Sequence, residues 1–157
     1  MNRNPFKATV KTITIEYDAD AAIGEEMNTP ANAARAIIAW NTANQNPPDV
    51  ESFSVFGLDS RHRLISAETL TRGTGTQAPV DPRRLYRHLL AVGAAGYIVS
   101  HNHPSGDLDF SRDDLELTRR LVQSGRIVGV ECHDHILTTP NGQWRALRQL
   151  QNTIFAL

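Results

Sequence analysis

Two histidines and an aspartate lie close together in the chain, in a pattern that suits a metal ion. His101 and His103 are separated by one residue, and Asp114 follows after a Pro-Ser-Gly turn. On an extended backbone, residues two apart point the same way, so both imidazoles can face one point. Neutral imidazole binds zinc well, and a carboxylate can be the third ligand. The sequence therefore predicts a zinc site formed by His101, His103 and Asp114.

Three protein ligands leave the fourth position of a tetrahedral zinc ion open, which is typical of a catalytic site. Zinc lowers the pKa of a bound water to roughly 7, so hydrolysis is the chemistry that such a site favours. Glu51, at the start of a predicted central strand, is the candidate general acid/base. Glu68, within the next predicted strand, is the substitute for that role. Ser111 is the candidate hydrogen-bond donor to a developing oxyanion.

The same residues also fit ordinary structural roles. Ser111-x-x-Asp114 is a capping-box-like pattern, and most such pairs only start helices. Two histidines beside Pro104 and Gly106 could be solvated turn residues. The letters His-Asn-His do not indicate an HNH nuclease, whose residues are dispersed over a ββα-metal unit. The complete spacing, with a glutamate on an upstream strand, is much more demanding than either short motif alone.

The elements that must position these residues alternate between strands and helices. The segment from Glu51 to Asp59 carries apolar residues on both faces, as expected of a central strand. Mixed strands and helices in this order indicate an α/β or α+β sandwich around one central sheet. The predicted strands are Lys11–Tyr17, Glu51–Asp59, Leu64–Leu70 and Ala94–Ser100, followed by Ile127–Val130 and Cys132–Thr139 as two strands or one bent strand. The predicted helices begin at Thr29-Pro30, at Asp81-Pro82, at Ser111 with an end at Gly125, and near Gln143.

Composition places the chain among single globular domains. It has 157 residues, of which 40% are hydrophobic and 21% charged, with a formal net charge of −1. This charge does not indicate bulk attraction to nucleic acid or to an anionic membrane. The single cysteine, Cys132, has no partner for an internal disulfide and is expected to be a small core residue. With no apolar signal segment or spanning run evident, the expected location is the cytoplasm and no membrane partner is expected.

The pattern of a glutamate, His101-x-His103, seven residues and Ser111-x-x-Asp114 resembles the JAMM signature of the JAB/MPN metalloprotease superfamily. More narrowly, the chain resembles the RadC family from about residue 28 to residue 139. Further matching segments are Asp107, Thr118, the Glu51–Asp59 segment, Gly73-Thr74, Pro82-Arg83 and Asp134-His135-Ile136.

This resemblance implies a three-layer JAB/MPN sandwich with a central mixed sheet and a layout similar to cytidine deaminase. It implies Glu51 as general acid/base, zinc bound by His101, His103 and Asp114, and Ser111 as the group that stabilises the tetrahedral intermediate. The implied reaction is hydrolysis of a peptide or isopeptide bond in a protein or peptide-conjugate substrate. The expected organisation is an N-terminal strand extension over 1–27, the RadC-like domain over 28–140 and a C-terminal helix over 141–157 packed on it.

A second function stays open, that of a RadC-like accessory protein in DNA repair or DNA processing. RadC-like proteins often carry an N-terminal helix-hairpin-helix region, whereas this chain begins with the predicted strand Lys11–Tyr17, which weakens that alternative. Its arginines are interspersed with acidic residues, so nucleic acid is a possible partner that charge does not indicate. The pair Asp134-His135 could orient a zinc ligand or form a buried structural pair. Helix packing is the expected role of Thr118.

Overall fold

The computed structural model describes residues 23–44, 46–73 and 80–156 of the chain. The predicted strand Lys11–Tyr17 lies outside these residues. In chain order, the described elements are α1 (Pro30–Ala43), β1 (Ser52–Leu58), β2 (Leu64–Arg72), α2 (Pro82–Ala91), β3 (Gly96–Asn102), α3 (Arg112–Val128), β4 (Glu131–Thr138), β5 (Trp144–Ala146), α4 (Leu147–Leu150) and a short 3₁₀ helix (Asn152–Ile154).

The strands form one mixed five-stranded sheet in the order β2-β1-β3-β4-β5. β1 lies between β2 and β3 and is antiparallel to both, so the prediction of a central strand at this position is confirmed. β3 and β4 are parallel and are joined through α3. A helical crossover is the usual connection between parallel neighbours, because it returns the chain to the same end of the sheet.

Helices cover both faces of the sheet, which confirms the three-layer architecture. Along β1, Phe53 and Val55 pack into a core shared with α2 and α3. Phe56 and Leu58 point to the other face and pack with α1. The alternation follows from the two-residue period of a strand. All residues of β1 are buried, and the exposed Glu51 immediately precedes the strand.

The first three predicted helix starts are confirmed, and each of these helices has a polar cap. The side chains of Thr29, Asp81 and Ser111 each accept a hydrogen bond from a backbone N–H in the first turn of α1, α2 and α3. Pro30 and Pro82 follow two of these caps, in the position where a missing N–H costs nothing. Among the described residues, every helix is too short or too polar to span a lipid bilayer.

The end of α3 differs from the prediction. The helix continues through Gly125 to Val128, so the predicted strand Ile127–Val130 is wrong. Gly129 ends the helix with φ +82°, a conformation that favours glycine. Gly125 serves close packing instead, since a Cβ there would lie 2.5 Å from the carbonyl oxygen of Val130.

The C-terminal segment is not the continuous helix predicted from Gln143. Trp144–Ala146 pairs with Ile136–Thr138 as an edge strand, after a turn in which Gly142 has φ +77°. Of the apolar residues with helical spacing, Leu147 and Ile154 are buried, whereas Leu150 is 54% exposed. The open edge of β4 offers backbone hydrogen bonds to Trp144–Ala146, and these compete with helix formation.

Candidate metal and hydrolytic site

The three predicted ligands meet where β3 ends and α3 begins. His101 is the penultimate residue of β3, and the backbone N–H of His103 continues the ladder by donating to Thr138 at 2.9 Å. The Nε2 atoms of the two histidines are 3.0 Å apart. Asp114 Oδ1 lies 3.4 Å from Nε2 of His101, and Oδ2 lies 3.9 Å from Nε2 of His103. The structure thus brings all three side chains to one point.

Each imidazole has its other nitrogen engaged by the protein. His103 Nδ1 is 3.0 Å from the carbonyl oxygen of Asp107, which can only accept, so Nδ1 carries the hydrogen and Nε2 holds a lone pair. His101 Nδ1 is 2.8 Å from Nε2 of His135, which leaves Nε2 of His101 to face the site. These bonds orient both rings toward the common point.

The donor set fits a divalent metal. Two ring nitrogens and a carboxylate oxygen at these separations cannot bond one another without a cation among them. A proton can bridge only one pair of these lone-pair atoms, whereas a metal ion can bind all three and displaces that proton. Two imidazoles and one carboxylate also match a catalytic zinc site that keeps one position open.

Asp114 is held as a carboxylate by the start of α3. Its Oδ2 accepts hydrogen bonds from the backbone N–H of Ser111 at 2.8 Å and from the Ser111 hydroxyl at 2.7 Å. Burial alone would raise the pKa of Asp114, but hydrogen bonding and charge interaction with His101, and the bonds from Ser111, hold it well below its ordinary value. Oδ1, which accepts no hydrogen bond from Ser111, is the oxygen that lies nearest to Nε2 of His101.

Ser111 forms the complete capping box with Asp114, so the structural interpretation of this motif holds in the fold. A hydroxyl has one proton, and here Ser111 gives it to Oδ2 of Asp114. In this arrangement Ser111 orients a ligand. Its predicted contact with an oxyanion would need the hydroxyl to rotate away from Asp114, and that role stays a prediction.

Glu51 reaches the same site from β1. One of its carboxylate oxygens and one ring nitrogen from each of His101 and His103 all lie within 4.8 Å of one another. Glu51 is exposed, and no hydrogen bond fixes its carboxylate among the described residues. Two carboxylates thus flank the imidazole pair. Asp114, which Ser111 holds in place, suits a ligand, and the exposed Glu51 suits proton transfer.

The substitute candidate, Glu68, belongs to a different cluster. Its carboxylate pairs with Arg84 at 2.6 Å and with Nδ1 of His88 at 3.0 Å, and His88 Nε2 is 3.1 Å from the hydroxyl of Ser66. These residues tie α2 to β2.

The single cysteine, Cys132, is buried, as expected of a core residue. Burial raises the pKa of its thiol to about 12.

Asn102, between the two histidines, has a role that the sequence analysis missed. Its Oδ1 accepts from the backbone N–H and the hydroxyl of Ser52, both at 2.8 Å. Its Nδ2 donates to the carbonyl of Val50 at 3.0 Å. The amide therefore bonds the residues on both sides of Glu51. Strand alternation indicates that Asn102 points away from His101, but only the sheet order shows what it meets.

We expect Asn102→Ala to weaken both the fold and the placement of Glu51. The change leaves the Ser52 donors and the Val50 carbonyl without their hydrogen-bond partner. Each unsatisfied buried group costs about 1–3 kcal/mol. Urea unfolding of the variant should show this loss, while zinc content stays at the parental level. Asn152→Ala, at an exposed position, is the control. An unchanged free energy of unfolding in Asn102→Ala would contradict this role of the Asn102 amide.

The pair Asp134-His135 divides into two roles. His135 is fully buried and contacts the ligand His101, as described above. Burial lowers the pKa of His135 well below its ordinary value, and the nearby His101 adds to this, so the ring is neutral. Asp134 faces the C-terminal segment, where Oδ1 accepts from the backbone N–H groups of His135 at 2.7 Å and Arg148 at 3.0 Å. Sequence alone left both roles open for the pair.

Asp134 gives the fold a dependence on pH. Burial raises the pKa of Asp134 to about 6 from an ordinary 3.8, although two backbone N–H bonds lower it. A carboxyl with a raised pKa stabilises the fold below pH 3.8 and loses that contribution as pH rises through 6. We expect Asp134→Asn, which keeps the acceptor oxygen, to unfold with a flatter pH dependence, by up to roughly 3 kcal/mol between these limits. Urea titrations of metal-free parent and variant from acid to neutral pH measure the difference, and parallel curves would contradict it.

Comparison with known proteins shows the family to which the chain belongs. The sequence model of the RadC-like JAB domain matches residues 27–152. The chain is 38% identical over 153 residues to a UPF0758 protein of Cyanothece sp. (strain PCC 7425), covering 92% of this chain and 60% of the relative. A UPF0758 protein of Thermosynechococcus vestitus is 33% identical over 154 residues, covering 93% of this chain and 58% of the relative. A UPF0758 protein of Finegoldia magna is 42% identical over 93 residues, covering 59% of this chain and 42% of the relative.

The chain spans three fifths or less of the length of these relatives. The match nevertheless includes every residue of the candidate site, from Glu51 to His135. The predicted resemblance to the RadC family is thereby confirmed, and the chain belongs to the RadC-like JAB domain family.

Proposed function

We propose that this protein is a zinc-dependent hydrolase of the JAMM type that cleaves a peptide or isopeptide bond. The observation that supports this most directly is that Nε2 of His101, Nε2 of His103 and the Asp114 carboxylate lie within 4 Å of one another, beside a second carboxylate, Glu51. A site built only to hold the fold together would have no need of an exposed carboxylate next to its ligands.

Zinc bound by these three residues supplies a Lewis acid and a water molecule acidic enough to act at neutral pH. The protein then has to orient the ligands, exclude competing partners and move one proton. His101 is almost fully buried, with its side chain 1% exposed, whereas those of His103 and Asp114 are 17% and 15% exposed. The open side of the site therefore lies toward His103, Asp114 and Glu51.

Glu51 carries the proton in this proposal. The attacking water oxygen forms a bond to the carbonyl carbon, and the carboxylate of Glu51 takes a water proton as that bond forms. When the C–N bond breaks, Glu51 returns the proton to the departing amine nitrogen, so the residue ends as it began. The exposed side chain of Glu51 has room to reach both positions.

A groove lies near the ends of the same strands, on the face of the sheet opposite to the imidazoles. It has a volume of about 360 Å³ and lies on the α1 side of the strand ends. Its lining includes Ser52 and Asn102, the sequence neighbours of Glu51 and of the two histidines. None of Glu51, His101, His103 and Asp114 lines this groove, so the proposed substrate class rests on the metal donors and on Glu51.

The proposal is tested by metal analysis followed by a cleavage assay. We expect purified protein to contain about one zinc ion per chain, the content of a single three-ligand site. A panel of lysine-linked isopeptides and linear peptides, each with a fluorophore on one side of the bond, should show cleavage that a chelator stops and added zinc restores. Zinc-free protein that takes up no zinc on addition would refute the metal site, and zinc-loaded protein inert on the whole panel would refute the substrate class.

A further inference from the structure

A chain of hydrogen bonds runs from α3 to the zinc-facing nitrogen of His101. Thr118 Oγ1 lies 2.7 Å from the carbonyl oxygen of Asp114 and 2.7 Å from Nδ1 of His135. Nε2 of His135 in turn lies 2.8 Å from Nδ1 of His101. Thr118 and His135 are completely buried and His101 is 3% exposed, so water does not supply alternative partners.

The chemistry of the groups sets the direction of this chain. A carbonyl oxygen only accepts, and a hydroxyl has one proton. If that proton went to His135, the two oxygens of Thr118 and Asp114 would face each other at 2.7 Å with no hydrogen between them. The hydroxyl therefore donates to Asp114 and accepts from Nδ1 of His135.

The consequences pass along the chain to the metal site. A neutral imidazole carries a single hydrogen, so a hydrogen on Nδ1 leaves Nε2 of the fully buried His135 as an acceptor. His101 must then donate from Nδ1, and its own Nε2 is free to bind a metal. Reversing the first bond would place a hydrogen on the ligand nitrogen.

We propose that Thr118 is a positioning residue for the metal, whose hydroxyl, through His135, fixes His101 in the tautomer that offers Nε2 to zinc. The inference rests on the proposed zinc site. The same hydroxyl also ties the first turn of α3, which carries Asp114, to β4 and so to β3, which carries His101. Thr118 thus sets both the protonation and the spacing of two ligands. Helix packing alone, the role expected from the sequence, does not account for these two bonds.

Aromatic side chains close the space around this chain of bonds. The Phe110 ring lies 5.2 Å from the ring of His135 and 5.9 Å from that of His101, between centroids. The Phe53 ring lies 5.5 Å and 6.2 Å from the same two rings. In such apolar surroundings a lost hydrogen bond is not replaced by solvent, so the direction of the chain of bonds is strongly set.

Thr118→Val tests the proposal, with zinc affinity measured by competition with a chromophoric chelator. The valine leaves Nδ1 of His135 without an acceptor, which favours a hydrogen on Nε2 of His135 and hence on the ligand nitrogen of His101. We expect zinc affinity to fall about 10–100-fold, the usual effect of losing an outer partner of a ligand. Thr118→Ser keeps the hydroxyl and should bind zinc as the parent does. Thr42→Val is the matched control, because Thr42 makes the same helical bond to Ile38 without a histidine partner.

A second readout does not depend on the metal. In the metal-free parent at mildly alkaline pH, ¹⁵N NMR of the imidazoles should show His135 with its hydrogen on Nδ1, and Thr118→Val should move it to Nε2. Thr118→Ala serves if the valine variant does not fold. Parental zinc affinity in the folded valine or alanine variant, or Nε2–H on His135 of the parent, would overturn the proposal. A parent that binds no zinc but has Nδ1–H on His135 would refute the zinc site and leave the assigned bond direction intact.

Discussion

Glu51→Gln should keep its zinc and lose about 10²–10⁴-fold in turnover, the contribution typical of a positioned general acid/base. Glutamine has nearly the same shape but cannot take a proton from the attacking water. The carboxylate lies beside the imidazoles but is exposed, and the proposed ligands are His101, His103 and Asp114, so the variant should retain its zinc donors. Zinc content and the initial rate on the best substrate of the panel measure the two effects separately.

Glu131→Gln is the matched control for this experiment. Glu131 is also an exposed glutamate at the start of a strand, but β4 runs parallel to β3, so Glu131 lies at the opposite end of the sheet from the site. Its substitution should leave both turnover and zinc unchanged. Full turnover in Glu51→Gln would show that another group carries the proton.

His103→Ala should lose zinc during purification, with affinity reduced by more than about a hundred-fold, since losing a ligand exceeds the 10–100-fold effect of losing its outer partner. Two of three protein ligands would remain. Asp114→Asn should also bind zinc poorly, because a neutral amide replaces the ionised Oδ1 that faces His101. Metal analysis after dialysis and competition with a chelator give the affinities.

These variants also distinguish the two carboxylates. If Glu51→Gln loses zinc while Asp114→Asn retains it, Glu51 is the ligand and the assignment must be exchanged. His62→Asn is the control variant, because it removes a histidine that lies outside the site. His62 is exposed in the turn between β1 and β2, and its φ of 59° is one that asparagine tolerates. It should bind zinc as the parent does.

Local geometry explains which parts of the site could be predicted from sequence. His101 and His103 share a direction because successive residues of a strand alternate, whatever surrounds the strand. Asp114 was placed near them because a cap at Ser111 fixes where the helix begins. The central position of β1 followed from apolar residues on both its faces. Each of these inferences needs only neighbours in the chain.

The secondary-structure errors have a different origin. Gly125 is a poor helix residue by local propensity, yet the helix passes through it because close packing against Val130 needs the missing Cβ. Trp144–Ala146 belongs to a segment whose apolar residues have helical spacing. It nevertheless pairs with β4, whose edge offers backbone hydrogen bonds. In both places a contact with another element outweighs the local preference.

The sequence by itself determined the donor types at the site, two imidazoles and a carboxylate, and the short spacings that let them converge. Only the tertiary structure decided what holds them there. Asn102 meets a segment 50 residues away, and Thr118 meets His135 across 17 residues and, through it, His101 across a further 34. Such partners are selected by sheet order and helix packing, and hydrogen-bond direction depends on every group in the chain of bonds. No local pattern encodes that dependence.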